Sequence, residues 1–353
     1  MVANRQNPRP GTVTDLVNRL LDKGYNQIAQ PVIDAIAASV TSGLIQRRLD
    51  ELDAEAQRLD ELGERLTPDN PVLRALLADL ETTLRRDAAR INDASEPLQA
   101  AASSAAATIQ RQLALPGMTN AQLRAIGMRW NVPDPERVAR LVTYAQSPAW
   151  AAQLRQYGPD VLNIVNNQAI RGSIAGWGSL RTAREIRSMT ESIPAHQANN
   201  LMRTLNLTSY RDSAAIHQQA NLAIAQQVIR IAALDLRTCL SCVAQHGMVI
   251  WDSSRDVNAP VPRVNDHHSG RCTSIIVVTG RAVNIIPGPQ WFAALSPERQ
   301  AQQASFANSP GKLEAYRSGQ VQLRDFIHRY DDPTFGPMLR EASLAGALAH
   351  AGD

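Results

Sequence analysis

Lysine is nearly missing from this chain. Lys23 and Lys312 are the two among 353 residues, so arginine carries almost all of the positive charge. Aromatic residues make up 4%, too few to suggest the stacking platforms of single-strand binders. No run of 18 or more apolar residues occurs, which predicts that no helix spans a membrane. The net charge of +3 is too weak to argue for nucleic acid by itself. No Walker loop, G-x-G-x-x-G, G-x-S-x-G or H-E-x-x-H occurs, and the deaminase pair H-x-E with P-C-x-x-C is lacking. The opening MVANRQNPRPG shows no basic n-region or apolar h-region, so the expectation is no secretory signal and a reducing compartment. What remains is ordinary globular composition, 44% hydrophobic and 20% charged, with length for two or three domains.

Cysteine is scarce too, and its placement is the most informative feature. All three cysteines fall in the pattern Cys239-x-x-Cys242 … His267-x4-Cys272. A C-x-x-C knuckle puts two sulfurs on one tight turn, and a distal His and Cys close a tetrahedron, which is the donor set of a zinc site. Four filled positions predict a structural zinc, because a catalytic one keeps a position open for water. His268 also reaches, at H-x3-C spacing, and is the alternative fourth ligand. Three thiolates and a neutral imidazole leave the site near −1, which Arg237 and Arg271, flanking the motif, would offset as outer partners. The plainer alternative is buried or redox-active cysteines that hold no metal. His246 reads as a solvent-exposed turn residue. Asp266, His267 and His268 also offer a metal-dependent nuclease or hydrolase of the HNH kind, but that fold needs a following helix with Asn and His, and a strand follows instead.

The rest of the chain reads as mainly α with a small C-terminal β unit, an α+β class with long N-terminal helices and zinc-clipped strands near residues 228–280. Residues 1–12, with Pro8 and Pro10, read as an extended arm. Helical periodicity runs from Val13 to about Asn92, with Leu49, Leu52, Ala56 and Leu59 on one face. Thr67–Pro71 breaks it, with Asn70 capping the next helix and Pro71 at its first position. Ser95 and Pro97 are expected to start a further helix, and Gly158-Pro159-Asp160 to punctuate another. The run Gly172–Gly178 reads as a joint. Domains are therefore expected at 13–171 (helical), 172–286 (metal-bearing) and 287–353 (tail). Strands are expected at 228–231, 248–251 and 274–278, and short helices at 296–305, 310–318 and 321–329.

Charge is distributed unevenly. Residues 50–100 carry thirteen acidic groups against six arginines, whereas residues 140–230 carry nine arginines against Asp160, Glu185, Glu191 and Asp212. Arg171, Arg181, Arg184, Arg187, Arg203, Arg211 and Arg230 are the candidate DNA-facing set, with Arg181, Arg184 and Arg187 on one helix. Solvated helix faces and ion pairs explain the same arginines without DNA.

The stretch from about Arg181 to Asp332 resembles the phage head-morphogenesis proteins typified by Mu F-like minor head proteins. The resemblance rests on Arg203-Thr204, on Asp235-x-Arg237-Thr238-Cys239-x-x-Cys242, on His246-Gly247 and on His267-His268-Ser269-Gly270-Arg271-Cys272. Trp291, a Gln-rich segment, Ser318-Gly319 and Asp325-Phe326 continue it. Two departures stand out: Gly270 where many members carry a further cysteine, and Leu205 where an acid is common. The family register favours His267 over His268 as ligand, with three cysteines completing the set. The resemblance implies a non-enzymatic minor capsid protein. It would sit in the virion near the portal, after assembly in the host cytoplasm. Its partners would be the portal and other head proteins, in multiple copies, with packaged double-stranded DNA as a further contact. An accessory assembly factor that binds DNA and leaves the head is the other reading of the same motifs.

Overall fold

The computed structural model describes residues 13–352 apart from 116–117, 256–258, 265, 268–269, 271, 280–284 and 333–335. The arm expected at 1–12 lies outside the described residues, as do His268 and Arg271. Helices come first: α1 (Val13–Thr41), α2 (Gly43–Glu61), α3 (Pro71–Ala114), α4 (Asn120–Ala125), α5 (Pro135–Leu141), α6 (Pro148–Ala175) and α7 (Ser179–Gln219). Then follow β1 (Ala225–Ile231), α8 (Leu240–Gln245), β2 (Val249–Asp252) and β3 (Thr273–Val278). The chain continues through α9 (Gly288–Ala293), α10 (Pro297–Ala301), α11 (Ala304–Ala307), α12 (Pro310–Arg317), β4 (Ile327–Asp332), β5 (Gly336–Glu341) and α13 (Leu344–Ala351). The fold is mainly α with a small C-terminal β part, as the periodicities indicate.

Two compact units interleave along the sequence. The helical unit comprises Tyr25–Gln99 and Tyr144–Leu205; the mixed unit takes the described residues up to Gly24, of Ala100–Thr143 and from Asn206 onward. These units replace the linear cuts expected at 171/172 and 286/287. Gly172–Gly178 is a helix turn inside the helical unit, not a joint. There α6 ends on Gly176 in the left-handed region (φ 69°) and α7 starts at Ser179. Gly172 packs so closely on Thr182 that a Cβ would lie 2.4 Å from its Oγ1.

The helical unit is built on one continuous apolar core. Leu49, Leu52, Ala56 and Leu59 of α2 meet Leu73, Leu76, Leu80 and Leu84 of α3, with Trp150, Tyr157, Val161 and Val165 of α6. Asn70 caps α3 as expected, its Oδ1 accepting from Val72 N at 2.9 Å. The break expected at Ser95–Pro97 does not occur, and Pro97 sits inside α3. Pro159 likewise lies inside α6. A helix-interior proline costs about 3 kcal/mol. The buried stripes run straight past both prolines, and core burial at about 1.5–3 kcal/mol per large side chain outweighs that cost. Asp22–Glu61 qualifies the expectation about membranes. By length and composition alone it is apolar enough to cross one, with a window of mean hydropathy 1.5, because alanines and few charges raise the mean without an unbroken apolar run. Its stripe Ile33, Ile36 and Val40 is buried in the unit's core.

In the mixed unit β1 is the central strand of an antiparallel sheet ordered β2-β1-β3, close to the three expected strands. One sheet face packs Val228, Ile276 and Val278 against Leu115, Leu123 and Trp130. The segment expected to be a tail is folded onto α8. Phe292, Phe306, Phe326 and Tyr316 stack edge-on or tilted at 5.5–6.3 Å and share a core with Leu240 and Val243. The helix expected at 321–329 is a 3₁₀ turn, Leu323–Phe326, that runs into the β4–β5 hairpin. Pairing of Ile327–Asp332 with β5 overrides a weak helical pattern there.

Candidate metal centre

The knuckle is shaped by its own motif. Asp235 Oδ1 accepts from Arg237 N at 2.9 Å, closing an Asx turn, and Thr238 Oγ1 donates to the Ala233 carbonyl. Cys239 is thereby set at the N-cap of α8, with Cys242 N donating to its sulfur at 3.4 Å. α8 is held from behind: Glu341 of β5 accepts from Leu240 N at 2.9 Å, from Ser305 Oγ and from Lys312 Nζ. Glu341 is largely buried, so Glu341→Ala would orphan these donors. It is expected to cost about 2–3 kcal/mol, measurable as a shifted urea midpoint at constant slope. A loss below ~0.5 kcal/mol would show that α8 needs no such brace.

The second half of the motif arrives just before β3. His267 Nε2 lies 3.2 Å from Cys239 Sγ and 3.6 Å from Cys242 Sγ. Cys272, buried, groups with Cys242 and Asp266, their donor atoms all within 4.8 Å of one another. No disulfide joins the cysteines. A cavity of about 50 Å³, lined by Cys239, Cys242, His267, Gly270 and Cys272 among others, adjoins them. The side chain of His267 is 30% exposed, so the cluster reaches solvent on that side. Cys239, Cys242, His267, Cys272 and Asp266 thus stand close together in an arrangement compatible with a metal ion.

The electrostatics come from residues the motif does not name. Asp266 is 1% exposed. Its Oδ1 accepts from His267 N at 2.9 Å and from the Cys242 thiol at 3.2 Å; its Oδ2 accepts from Cys272 N and Arg211 Nη2, each at 3.1 Å. Burial would raise its pKa, but Arg211, His267 and Arg230 outweigh that and hold the carboxyl well below the usual range. The Cys242 thiol is pushed well up, first by its hydrogen bond with Cys239 and then by burial and the Asp266 charge, against an opposing bond with Cys272. Its bond with Cys242 and burial push Cys272 up in the same way. A cation bound here would displace those protons. Gly270 is needed at its position, since a Cβ would lie 2.2 Å from Asp266 Oδ2.

Two expectations change. Arg211 and Arg230 do not face DNA. Each is 3% exposed, and Arg211 clamps the segment before β3, its Nε donating to the Cys272 carbonyl at 2.8 Å and its Nη2 to the Gly270 carbonyl. The signal was readable: Arg211 shares its helix face with Leu207 and Ala214, both buried. Arg237 lines the cavity beside the cluster, with its side chain 82% exposed and 3.9 Å from Asp235. His246 is buried, not solvent-exposed, and its Nδ1 accepts from Ala232 N at 2.8 Å.

The remaining arginine candidates lie on α6, which carries the exposed Arg171, and on α7. Arg187 is taken up by Asp50 at 2.8 Å, Asp53 at 2.6 Å and Glu191 at 3.5 Å. Arg203 is half-buried, 5.8 Å over the Tyr25 ring. Arg181 lies 4.2 Å over the Trp177 ring and, like Arg184, is exposed. Compared with protein-family models, curated proteins and solved structures, the chain matches none.

Proposed function

We propose that this chain is a non-enzymatic minor head protein of a tailed bacteriophage or phage-like particle. In this reading it acts in head morphogenesis near the portal, and Cys239, Cys242, His267 and Cys272 hold a structural zinc ion. The observation that carries the reading is the convergence of all three cysteines with His267, in a motif that resembles the Mu F-like pattern. Zinc is favoured over harder cations because three donors are sulfur. Bound there, it would tie α8 to the start of β3 and add its binding energy to the stability of the unit. What favours a clip over a metal-dependent hydrolase is the state of Asp266: both oxygens accept internal hydrogen bonds, so it is not presented to a water or substrate.

The test is mass spectrometry of purified particles. Several copies of the chain per DNA-filled particle, with about one zinc per isolated chain, are expected. Particles that lack the chain would overturn the virion assignment, and divalent-metal-dependent plasmid cleavage would favour the hydrolase. For DNA we assign the exposed pair Arg181 and Arg184. Replacing both with alanine is expected to weaken duplex binding uniformly across sequences and reduce the salt slope by roughly 2. An unchanged slope in a fluorescence-anisotropy titration would remove the pair from any DNA contact.

A further inference from the structure

We infer that Arg211, Asp266 and Arg230 form a buried counter-charge for the metal centre, which matches it to a divalent ion held by three thiolates and one neutral imidazole. This rests on the metal reading above and goes inward from it. Arg211 and Arg230 share one carboxylate, at 3.1 Å from Oδ2 and 3.9 Å from Oδ1. All three groups are shielded from solvent. Burial would lower the Arg230 pKa, but the neighbouring Cys272, Asp266 and Cys242 outweigh it and hold the guanidinium charged. Among the described residues, the nearby acid Asp212 is balanced by Arg263 at 2.9 Å.

Two guanidinium groups and one carboxylate leave one net positive charge in the interior. An uncompensated buried charge is expensive. Three thiolates, a divalent ion and a neutral imidazole carry one net negative charge, and the two sets cancel. Four thiolates would leave an excess negative charge, and two thiolates with two imidazoles an excess positive one. The ligand composition and the inner arginines are therefore one electrostatic unit. Arg211 and Arg230 come from α7 and β1, elements that carry none of the four ligands.

The experiment measures Zn(II) affinity of the full chain by competition with a chromophoric chelator. Co(II) absorption reports the coordination, and circular dichroism confirms folding of each variant. Arg230→Met should weaken binding by roughly 10–100-fold, the usual effect of losing an outer-sphere partner. Arg230→Lys, which keeps the charge, should retain most of the affinity. Adding Asp266→Asn to Arg230→Met should recover most of the loss, because the charges again cancel; a packing defect would not be rescued. His267→Cys, at a partly exposed position, gives an independent arm should Arg230→Met fail to fold. The fourth thiolate it adds is uncompensated, so His267→Cys/Asp266→Asn should bind Zn(II) more tightly than His267→Cys alone. Wild-type affinity in Arg230→Met, or no gain from Asp266→Asn in either background, would overturn the counter-charge while leaving the clip intact. A wild-type chain that binds no zinc would overturn both.

Discussion

Treatment with a strong chelator is expected to lower the thermal midpoint of the mixed unit by roughly 10 °C. A metal present at a thousand times its dissociation constant adds about 4 kcal/mol, and a domain of this size shifts by ~2–4 °C per kcal/mol. Cys272→Ser should reproduce most of the loss, since Cys272 is a buried member of the cluster. Calorimetry with and without chelator reads the shift. Hydrogen exchange locates it: amides of α8 and of the first residues of β3 should lose protection, while α2 and α6 keep theirs. The mixed unit would not unfold outright, because its aromatic core around Phe292, Phe306 and Phe326 contains no ligand. An unchanged melting curve in demetallated protein would mean that the cysteines serve only as core residues.

Arg211→Met should be the most damaging single substitution outside the ligands. It strips Asp266 of its closest cation and leaves the Gly270 and Cys272 carbonyls without their guanidinium donor. Breaking a buried pair by removing one partner costs about 3–5 kcal/mol. Arg211→Lys would keep the charge, but one ammonium cannot reproduce a fork that serves three acceptors, so an intermediate loss is expected. Arg187→Ala is the contrasting case. Its three carboxylate partners lie on more exposed surface, and its loss should stay within about 1 kcal/mol. Equal losses for Arg211→Met and Arg187→Ala in chemical denaturation would contradict the assigned role of the buried clamp.

The grouping of Cys239, Cys242 and His267 was legible because its information is local: spacing fixes which sulfurs share a turn. The strands and the α3 cap at Asn70 were legible for the same reason. The prolines misled because Pro97 and Pro159 weaken a helix locally, whereas the stripes that hold α3 and α6 together depend on partners far away in sequence. The inner half of the site was hidden in another way. Arg211 and Arg230 look like surface charge when counted with their neighbours, and only the helix face shared with Leu207 and Ala214 gives Arg211 away. The C-terminal segment reads as polar because its three buried phenylalanines are spread over 292–326, and they become a core only once α8 is beneath them.

The interleaving of the two units bears on how the protein is made and dissected. Synthesis completes the helical unit at Leu205, while the mixed unit waits for its last strands and Cys272 to leave the ribosome. A fragment starting at residue 172 would carry all four proposed ligands and still be missing a wall. It would lack Leu115, Leu123 and Trp130, which cover one face of the sheet, and Gln110, whose Nε2 donates to the Ser274 carbonyl at 2.9 Å. Such a fragment would expose Val228, Ile276 and Val278 to water and to one another's copies, and would aggregate even when fully loaded with metal.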